Sequence, residues 1–390
     1  MKMLFYRYGS ICEKDIMRTF EEFGIEIIVY DKEVIDKNYP IERAVTEVAE
    51  LLEENKVLFV FSINFFPFLS EMTRIFNIRY LTWVVDSPVL ELYSKTVAND
   101  NNRIFIFDRT LAMEISKYNS SRVFHLPLGA RLEERNKMLN TEDVSKYKHN
   151  VSFVGSLYTE KNPLASYLKN MPEFYRGYLE GLIDCQEWCY GAYFLDEVVD
   201  ESFVKKIKPF VRNFEDINSY ENLSDKVIFS QYYLGAAVTA KERIDTFRHL
   251  SDNFEIDIYT YSDTSEIKNI HNHGNAKTET EMPFIFRNSR ININTTSKSI
   301  RTGVSLRVYD VLSCKGFLIS NYQQEIAEMF EVGKCLETYS TLDELDEKIE
   351  YFLSHEKERR DISEAGYEFL EKNYTMKKQL TRMLEMAFDN

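Results

Sequence analysis

The chain contains KVLFVFS at residues 56–62 and IRYLTWVV at residues 78–85, two runs that are apolar along most of their length. They do not alternate between polar and apolar residues, which indicates strands buried on both faces of a sheet. Amphipathic segments such as Glu13–Phe23 and Ile41–Asn55 separate strand-like runs of this kind. Four more of them are MLFYR (3–7), IEIIVY (25–30), RIFIF (103–107) and RVFHL (122–126). Strands that alternate with helical crossovers predict an α/β domain over residues 1–149, built on a doubly wound parallel sheet.

A second unit of the same kind begins with the strand NVSFVG at residues 150–155, after a charged stretch at 133–150. A mainly helical, aromatic-rich insertion follows over residues 160–231, and the strand–helix alternation then resumes. The later strand-like runs are EIDIYTY (255–261), RININ (290–294) and GFLIS (316–320). We therefore predict a second Rossmann-like domain over residues 150–375. Two such sheets facing a cleft provide one binding wall each, which suits a transfer between two substrates.

Composition and charge exclude several classes of protein. The net charge of -15 and the pI near 5.1 argue against nucleic acid as the main partner, because phosphate neutralisation needs clustered Lys and Arg. Five scattered cysteines without a CxxC pair fit a reducing compartment. The N-terminus has no signal-peptide core, and the most apolar run, residues 57–69, is too short to span a bilayer. We expect a cytoplasmic protein without a transmembrane segment.

Several nucleotide-binding and metal-binding motifs are missing from the sequence. It has neither GxGxxG nor GxxxxGK[ST], the strongest signals of dinucleotide and P-loop sites. It also has no DxD pair, the paired carboxylates through which transferases hold a nucleoside diphosphate with Mg²⁺ or Mn²⁺. We therefore expect no cofactor and no metal in the reaction, so any bound diphosphate must be neutralised by backbone amides and cationic side chains.

The segment TTSKSIRTGVSLR, residues 295–307, is suited to that task because it follows the strand RININ and opens a helix that ends at Cys314. It brings hydroxyl groups, a glycine and three cations to a helix N-terminus, where free N–H groups and the helix dipole favour an anion. The same composition also fits a polar loop with a serine N-cap. One turn further on, Asp310 can accept hydrogen bonds from sugar hydroxyls; alternatively, it forms a plain salt bridge with Arg307.

Two further features of the second domain add to this candidate site. Gly155 and Ser156 end its first strand, where a glycine permits close approach of the backbone to a ligand. Lys241 and Arg243 open the helix after the insertion and supply positive charge, although the same residues also fit an ordinary solvated helix start.

Polar residues also follow the predicted strands of the first domain. We expect the acceptor at this edge, near the side chains or backbone of Gly9, Ser10, Asn64, Asp86 and Asp108. Asp86 can act as a general base or orient an acceptor hydroxyl, or it can cap a helix that begins near Pro88. His125, inside a strand, fits a core histidine better than a base. The aromatic insertion fits an acceptor surface, a helical core or a homodimer contact.

The sequence resembles the CgeB-like glycosyltransferases, the spore maturation proteins and their relatives. The resemblance rests on the strings YLTWVVDSPVLELYSK, RIFIFDRTLAMEISKY, VFHLPLGA, VSFVGSLYTEKNPLASYL, SRININTTSKSIRTGVSLRVYDVLSCKGFLISNYQQEIAEMFEVGKCLETYSTLDEL and ERRDISEAGYEFLEKNYT. It covers nearly the whole chain and is more specific in the second half. It implies a GT-B fold with a glycosyltransferase group 1-like C-terminal domain, a nucleotide-sugar donor, no metal requirement, and a last helix, 376–390, that packs back on the first domain.

The resemblance also implies roles for individual residues of the second domain. Asp310 matches the acidic residue that holds the donor ribose, and Thr302 stands where the retaining families carry a second acidic residue. The loop facing the diphosphate matches Ser299, Arg301, Gly303 and Val304; the loop after the first strand matches Gly155 and Ser156; and the stretch near the nucleobase matches His273, Gly274 and Asn275.

We therefore expect a hexosyltransferase-like enzyme that moves a sugar from a UDP- or GDP-linked donor to a glycan or protein acceptor. Arg301, Lys298 or Arg243, with the helix dipole at Ser305, would stabilise the diphosphate leaving group. Asp86 would be the base of an inverting transfer. Two alternatives fit the same architecture: a nucleotide-sugar epimerase, and a non-catalytic protein of glycan or spore-surface assembly.

Overall fold

The computed structural model describes residues 1–139, 147–212, 214 and 220–389. The chain divides into two compact units. The first contains Met1–Gly129, a short segment ending at Leu223, and the C-terminal residues from Tyr374 onward. The second contains the rest of the chain.

The first unit is built on a six-stranded sheet whose neighbouring strands all pair in parallel. Its strands are β1 (Lys2–Tyr6), β2 (Glu26–Tyr30), β3 (Phe59–Ile63), β4 (Arg79–Val84), β5 (Asn102–Ile106) and β6 (Val123–His125). They lie in the order β2-β1-β3-β4-β5-β6. Every residue of β3 and β5 is buried, as their mainly apolar sequences predict. All six predicted strands are confirmed, with their ends shifted by a few residues.

Helices connect these strands and complete the α/β alternation of the first unit. They are α1 (Glu13–Glu22), α2 (Lys32–Ile35), α3 (Ile41–Glu54), α4 (Pro67–Ile75) and α5 (Arg109–Ile115), with short 3₁₀ helices at Leu90–Tyr93 and Lys95–Ala98.

The second unit has its own parallel six-stranded sheet, in the order β12-β11-β10-β7-β8-β9. Its strands are β7 (Val151–Val154), β8 (Ile256–Tyr259), β9 (Ile270–Asn272), β10 (Ile291–Asn294), β11 (Leu318–Asn321) and β12 (Glu337–Tyr339). The sequence predicted four of them and missed the edge strands β9 and β12. Each of the two is only three residues long, and β9, with the sequence IHN, is largely exposed, so neither carries a hydrophobic pattern.

The helices of the second unit include those of the predicted insertion. They are α6 (Leu132–Leu139), α7 (Ala165–Leu168), α8 (Glu173–Glu187), α9 (Leu195–Val198), α10 (Glu201–Ile207), α11 (Asp225–Val227), α12 (Gly235–Asn253), α13 (Met282–Asn288), α14 (Leu306–Ser313), α15 (Gln324–Met329), α16 (Leu342–Ser354) and α17 (Glu356–Asn373). Short 3₁₀ helices lie at Thr159–Lys161 and Lys208–Phe210, and a π-helix, Ile228–Leu234, runs directly into α12.

The predicted insertion, 160–231, is mainly helical over its described residues, with turns between the helices; residues 213 and 215–219 lie outside the described residues. Its aromatic rings pack on one another, as in the pair Tyr178–Phe203 with centroids 4.8 Å apart. Phe174 and Trp188 remain exposed. The insertion therefore has the helical core that we expected as one alternative, while a homodimer contact stays a prediction.

The boundary between the two units lies earlier than the predicted position at 149/150. The first unit ends at Gly129, and α6 belongs to the second. The reason is tertiary: α6 packs against α13, and its Arg135 lies 3.5 Å from the carboxylate of Asp310. Part of the charged stretch at 133–150, residues 140–146, lies outside the described residues.

The last helix, α18 (Met376–Phe388), belongs to the first unit, where it packs against α1. The ring of Phe388 contacts Phe59 of β3 with centroids 5.8 Å apart, and the guanidinium of Arg79 lies 4.7 Å from the Phe388 ring centroid. Among the described helices of the chain, none combines the length and the hydropathy that a membrane crossing requires.

A close approach between α17 and α14 gives a stability prediction. A Cβ placed on Gly366 of α17 would overlap the carbonyl oxygen of Cys335 and lie 3.0 Å from Cδ2 of Leu312. Because a backbone carbonyl cannot move aside as a side chain does, we expect Gly366→Ala to lower the free energy of unfolding by about 3 kcal/mol. For a unit of this size that corresponds to a fall in Tm of roughly 6–12 °C in calorimetry.

Gly181→Ala is the matched control for this substitution. Gly181 also lies inside a helix, α8, but a Cβ there meets no atom within 4 Å. We expect it to raise stability by about 0.5–1 kcal/mol through helix propensity. Equal effects of the two substitutions would contradict the packing argument.

Candidate active site

The second sheet has its topological switch point between β7 and β10. From β7 the chain proceeds to β8 and β9 on one side, and it then returns to β10 on the other side. The loops that leave the carboxyl ends of these two strands, at Gly155 and Thr295, therefore diverge and leave a crevice where open α/β sheets bind ligands. The candidate donor residues Gly155 and Ser156 lie at one side of this point, and the loop 295–305 lies at the other.

Arg243 of α12 joins the two loops. Its guanidinium donates to the carbonyl oxygen of Ser156 through one terminal nitrogen and to that of Thr295 through the other, both at 2.5 Å. Its guanidinium carbon also lies 4.7 Å from the ring centroid of Tyr158. Arg243 is buried, and this burial lowers its pKa. Because it is buried and bonded to two loops, it is not a solvated residue at a helix start. The sequence alone is compatible with that interpretation, and the tertiary contacts are not.

The loop 295–305 is held in place by hydrogen bonds to neighbouring elements. The Thr296 amide donates to Asn321 Oδ1 at 2.8 Å, and the Lys298 amide donates to Thr239 Oγ1 at 3.0 Å. The hydroxyl of Ser299 lies 3.0 Å from that of Ser297. Gly303 and Val304, two of the predicted donor residues, are buried. This loop is thus a fixed part of the unit.

Helix α14 begins directly after this loop. Ser305 occupies its N-cap position, but the Ser305 side chain makes no capping hydrogen bond to the helix. The alternative interpretation, a polar loop with a serine N-cap, is therefore right about the position of Ser305 but wrong about a capping hydrogen bond from its side chain. Amides of the first turn without a side-chain cap, together with the helix dipole, favour an anion at this end of α14.

Lys298 does not fit the predicted contact with a diphosphate. Its side chain is only 8% exposed, and its Nζ lies 3.4 Å from Oε1 of the buried Glu242. The same Nζ lies 4.3 Å from the ring centroid of Tyr190 in the insertion. Its charge is neutralised inside the protein, so we no longer place it among the phosphate ligands.

Arg301 is tied to the insertion. One terminal nitrogen of its guanidinium lies 3.2 Å from Oδ2 of Asp196 in α9. Asp196 also accepts a hydrogen bond from Ser230 Oγ of the π-helix at 2.6 Å. The sequence missed Asp196, because nothing local marks one acidic residue of an insertion as the partner of a cation 105 residues later.

Asp310 and Arg307 form the ion pair that we gave as the alternative interpretation, with 3.2 Å between Nη1 and Oδ2. Arg135 of α6 lies 3.5 Å from the other carboxylate oxygen. The guanidinium of Arg307 also lies 5.0 Å from the Phe286 ring centroid, and burial lowers its pKa. Asp310 is thus an oriented carboxylate with 14% of its side chain exposed, and Arg135 is a partner that the sequence did not reveal.

A carboxylate does lie beside Thr302, the position where the resemblance implies an acidic residue. The Thr302 hydroxyl donates to Oε1 of Glu325 in α15 at 2.8 Å, and the Glu325 amide donates to the Thr302 carbonyl at 3.1 Å. Both side chains are buried. The sequence does not reveal Glu325 as the partner of Thr302, because the two residues lie 23 positions apart in the chain.

The predicted nucleobase stretch follows β9. Gly274 adopts a positive φ of 76°, which allows a tight turn, and Asn275 is exposed. His273 is not free, since its Nε2 lies 2.7 Å from Oδ1 of Asp257 in β8. The other oxygen of Asp257 lies 3.0 Å from Nδ1 of His149, whose pKa is lowered by burial.

In the first unit the switch point lies between β1 and β3, and two of the predicted acceptor residues, Asn64 and Asp86, follow β3 and the neighbouring strand β4. Asn64, which follows β3 with φ of 56°, donates through Nδ2 to Oδ2 of Asp86 at 2.7 Å. The same nitrogen lies 2.8 Å from the hydroxyl of Tyr8. Burial and the neighbouring Asp86 raise the pKa of Tyr8. The structure therefore brings Asn64 and Asp86 together and adds Tyr8, which the sequence did not single out.

The backbone amides of Gly9 and Ser10 already donate hydrogen bonds within the protein. Oε1 of the buried Glu13 accepts from the Gly9 amide at 2.7 Å and from the Ser10 amide at 3.0 Å. Glu13 thus occupies the anion position that these amides would offer. Asp86 does not cap a helix, because the next helical segment has Val89 at its N-cap.

Asp108 does not fit the predicted acceptor role. Its side chain is fully buried, and Oδ1 accepts from the Leu111 amide at 3.0 Å, so it is the N-cap of α5. His125 is partly buried, with Nε2 3.2 Å from the carbonyl oxygen of Phe107, as suits a histidine of the fold.

Comparison with known proteins gives one family-model match and several solved structures of similar fold. Residues 240–385 match the family model described as glycosyl transferase-like. Among solved structures, a glycosyltransferase from Rickettsia africae ESF-5 is 12% identical, covers 100% of this chain and 98% of its own, and has a TM-score of 0.54. Sucrose-phosphate synthase from Thermosynechococcus elongatus is 8% identical, with coverages of 100% and 99% and a TM-score of 0.52.

A third solved structure, the lipopolysaccharide outer core galactosyltransferase WaaB in its apo form, is 12% identical. It covers 98% of this chain and 99% of its own, with a TM-score of 0.50. The comparison with curated proteins gives no match.

The two parallel six-stranded sheets and these likenesses show a GT-B fold. Together with the family match, the fold supports an enzyme of the glycosyltransferase class, a GT-B glycosyltransferase.

Proposed function

We propose that this chain transfers a sugar from a UDP- or GDP-linked donor to a glycan or protein acceptor, in the manner of the CgeB-like glycosyltransferases. The donor binds at the switch point of the second unit. One observation carries the proposal: the buried Arg243 joins the loops after β7 and β10 next to the start of α14. A nucleoside diphosphate is the anion that matches a fixed cation and a helix N-terminus placed together.

The leaving group of the reaction is the nucleoside diphosphate, whose charge increases as the sugar bond breaks. Arg243, Arg301 and the first turn of α14 stabilise that charge by preorganised electrostatics, the largest single contribution in many enzymes. In transferases with paired carboxylates a divalent ion neutralises the diphosphate. Here the arginine side chains do so, and we therefore propose a metal-independent reaction.

The carboxylate of Asp310 accepts hydrogen bonds from the donor ribose. Arg307 and Arg135 hold that carboxylate in one orientation. Glu325, beside Thr302, takes the place of the second acidic residue of the retaining families. Asn275 and the turn at Gly274 lie near the nucleobase.

Isothermal titration with UDP, GDP, CMP and dTDP tests the donor site, and product analysis with nucleotide sugars tests the reaction. In the titration we expect one nucleotide, UDP or GDP, to bind. In the product analysis we expect the same nucleotide to be released from its sugar conjugate only when the sugar is transferred to an acceptor. No binding at millimolar nucleotide would indicate a non-catalytic assembly protein. An isomerised nucleotide sugar formed from donor alone would indicate an epimerase.

Replacement of Arg301 measures its part in leaving-group stabilisation. We expect Arg301→Ala to remove about 2–4 kcal/mol of transition-state stabilisation, which is roughly 30- to 1000-fold in kcat/KM. Asp196→Asn keeps the cation and removes only the carboxylate that positions it, so we expect a smaller loss, mainly in KM. Steady-state kinetics with the donor identified by titration gives both values, and a wild-type turnover of Arg301→Ala would refute its role.

A further inference from the structure

Three potential metal ligands from separate segments of the second unit meet on its sheet. His149 precedes β7, Asp257 lies in β8, and His273 follows β9. Nδ1 of His149 lies 3.0 Å from Oδ2 of Asp257, and Nε2 of His273 lies 2.7 Å from Oδ1. The potential ligand atoms of the three residues all lie within 4.8 Å of one another. None of these three side chains has a role in the proposed sugar transfer, although His273 directly precedes Gly274 of the predicted nucleobase stretch.

We propose that His149, Asp257 and His273 form a binding site for a transition-metal ion of the Zn²⁺ class. Two imidazole nitrogens and one carboxylate oxygen are a donor set that suits Zn²⁺, Co²⁺ and Ni²⁺ rather than Mg²⁺ or Ca²⁺. Bonds of about 2.0–2.1 Å in a tetrahedral site place neighbouring ligand atoms roughly 3.3 Å apart. The contacts of 3.0 and 2.7 Å involve different oxygens of Asp257, so the carboxylate turns one oxygen toward both imidazoles when it binds an ion, and the two contacts lengthen by about 0.3 and 0.6 Å.

Tyr259 supports the geometry from outside the ligand set. Its hydroxyl lies 2.8 Å from Nε2 of His149, the ring nitrogen that faces away from Asp257. A proton held on Nε2 by that contact leaves the lone pair of Nδ1 directed at the metal position, the usual arrangement around a ligating histidine. The ring of Tyr259 also stacks on that of His273, with centroids 4.7 Å apart.

The site is accessible to an ion from solvent. The side chain of His273 is 38% exposed, whereas those of Asp257 and His149 are 18% and 7% exposed. His149 and Asp257 also line a cavity of about 800 Å³ next to the amino-terminal ends of β7 and β8. Three protein ligands leave a fourth position for water, so an ion would join the segments around β7, β8 and β9 and stabilise the unit.

Co²⁺ and Zn²⁺ titrations of the untagged, chelator-treated full chain test the site. We expect one Co²⁺ per chain with the visible absorption of a tetrahedral complex, displacement by one Zn²⁺, and a higher Tm in the presence of Zn²⁺. His273→Ala and Asp257→Asn should each weaken binding at least about 100-fold, because a lost ligand costs more than a lost outer partner. Tyr259→Phe should weaken it about 10-fold.

His249→Ala is the matched control. His249 also forms a histidine–aspartate pair, with Nε2 2.8 Å from Oδ2 of Asp346. It is not part of the three-residue cluster, so this variant should bind Co²⁺ as the wild type does. Circular dichroism of each variant separates lost binding from lost folding. A wild-type chain that binds no Co²⁺, a folded His273→Ala that binds normally, or a His249→Ala that loses binding would each overturn the proposal.

Discussion

If the transfer inverts the configuration of the sugar, Asp86→Asn is expected to lower its rate by about 10²- to 10⁴-fold while the affinity for the nucleotide stays unchanged. An inverting transfer needs a base that takes the proton of the acceptor hydroxyl, and general bases contribute about that much. Asp86 suits this role because Asn64 holds one of its oxygens at 2.7 Å and no helix uses it as a cap. The amide of asparagine has the same size but cannot accept the proton.

Two measurements check this prediction. Initial rates with saturating donor and acceptor give the loss of turnover, and isothermal titration with the nucleotide shows that the donor site is intact. Asp100→Asn is the control. Asp100 is an exposed carboxylate of the same unit, but it precedes β5 and so lies at the amino-terminal ends of the strands, whereas Asp86 lies at their carboxyl ends. A turnover of Asp86→Asn within a few fold of the wild type would remove Asp86 as the base.

Arg243→Met is expected to lower kcat/KM by at least about 100-fold, because it removes a fixed cation next to the leaving group. It also leaves the carbonyl groups of Ser156 and Thr295 without their charged donor, and a buried carbonyl without a partner costs about 1–3 kcal/mol. We therefore expect both weaker nucleotide binding and a lower Tm. The methionine side chain keeps most of the packing volume, so the effect reports on charge and hydrogen bonds.

Arg248→Met separates this effect from the general loss of an arginine on α12. Arg248 lies five residues further along the helix, with 51% of its side chain exposed and an ion pair to Asp245 at 2.7 Å. Kinetics, nucleotide titration and calorimetry of both variants should show a change only for Arg243. If Arg243→Met binds the nucleotide as tightly as the wild type, the donor does not lie at this switch point.

Much of the fold follows from hydrophobic patterning. The runs that became β3, β4 and β5 are apolar along most of their length, since strands in the middle of a parallel sheet are buried on both faces. The same pattern predicted β7, β8, β10 and β11 but missed β9 and β12, where three-residue edge strands give no periodic signal. The boundary near Gly129 was also missed, because α6 is assigned to the second unit by tertiary contacts, such as those with α13 and Asp310, that the local sequence does not reveal.

The candidate site could be predicted in part. A strand end followed by a helix start is a local feature, and it drew attention to Gly155, to the loop at 295–305 and to Asp86. Whether a charged side chain in such a place is available depends on its partners, which local sequence does not reveal. Lys298 is neutralised by Glu242, and Asp108 is used as the cap of α5.

The sequence by itself therefore determined the two α/β units, the central strands of their sheets with the helices between them, and the loops from which a ligand site can be built. These properties depend on burial patterns and turn residues that lie within a few positions of one another. Only the tertiary structure decided that Arg243 joins two strand ends, that Asp196 holds Arg301, and that Glu325 lies beside Thr302. Each of those contacts joins residues that are distant in the chain, and such pairs form only when the whole unit has packed.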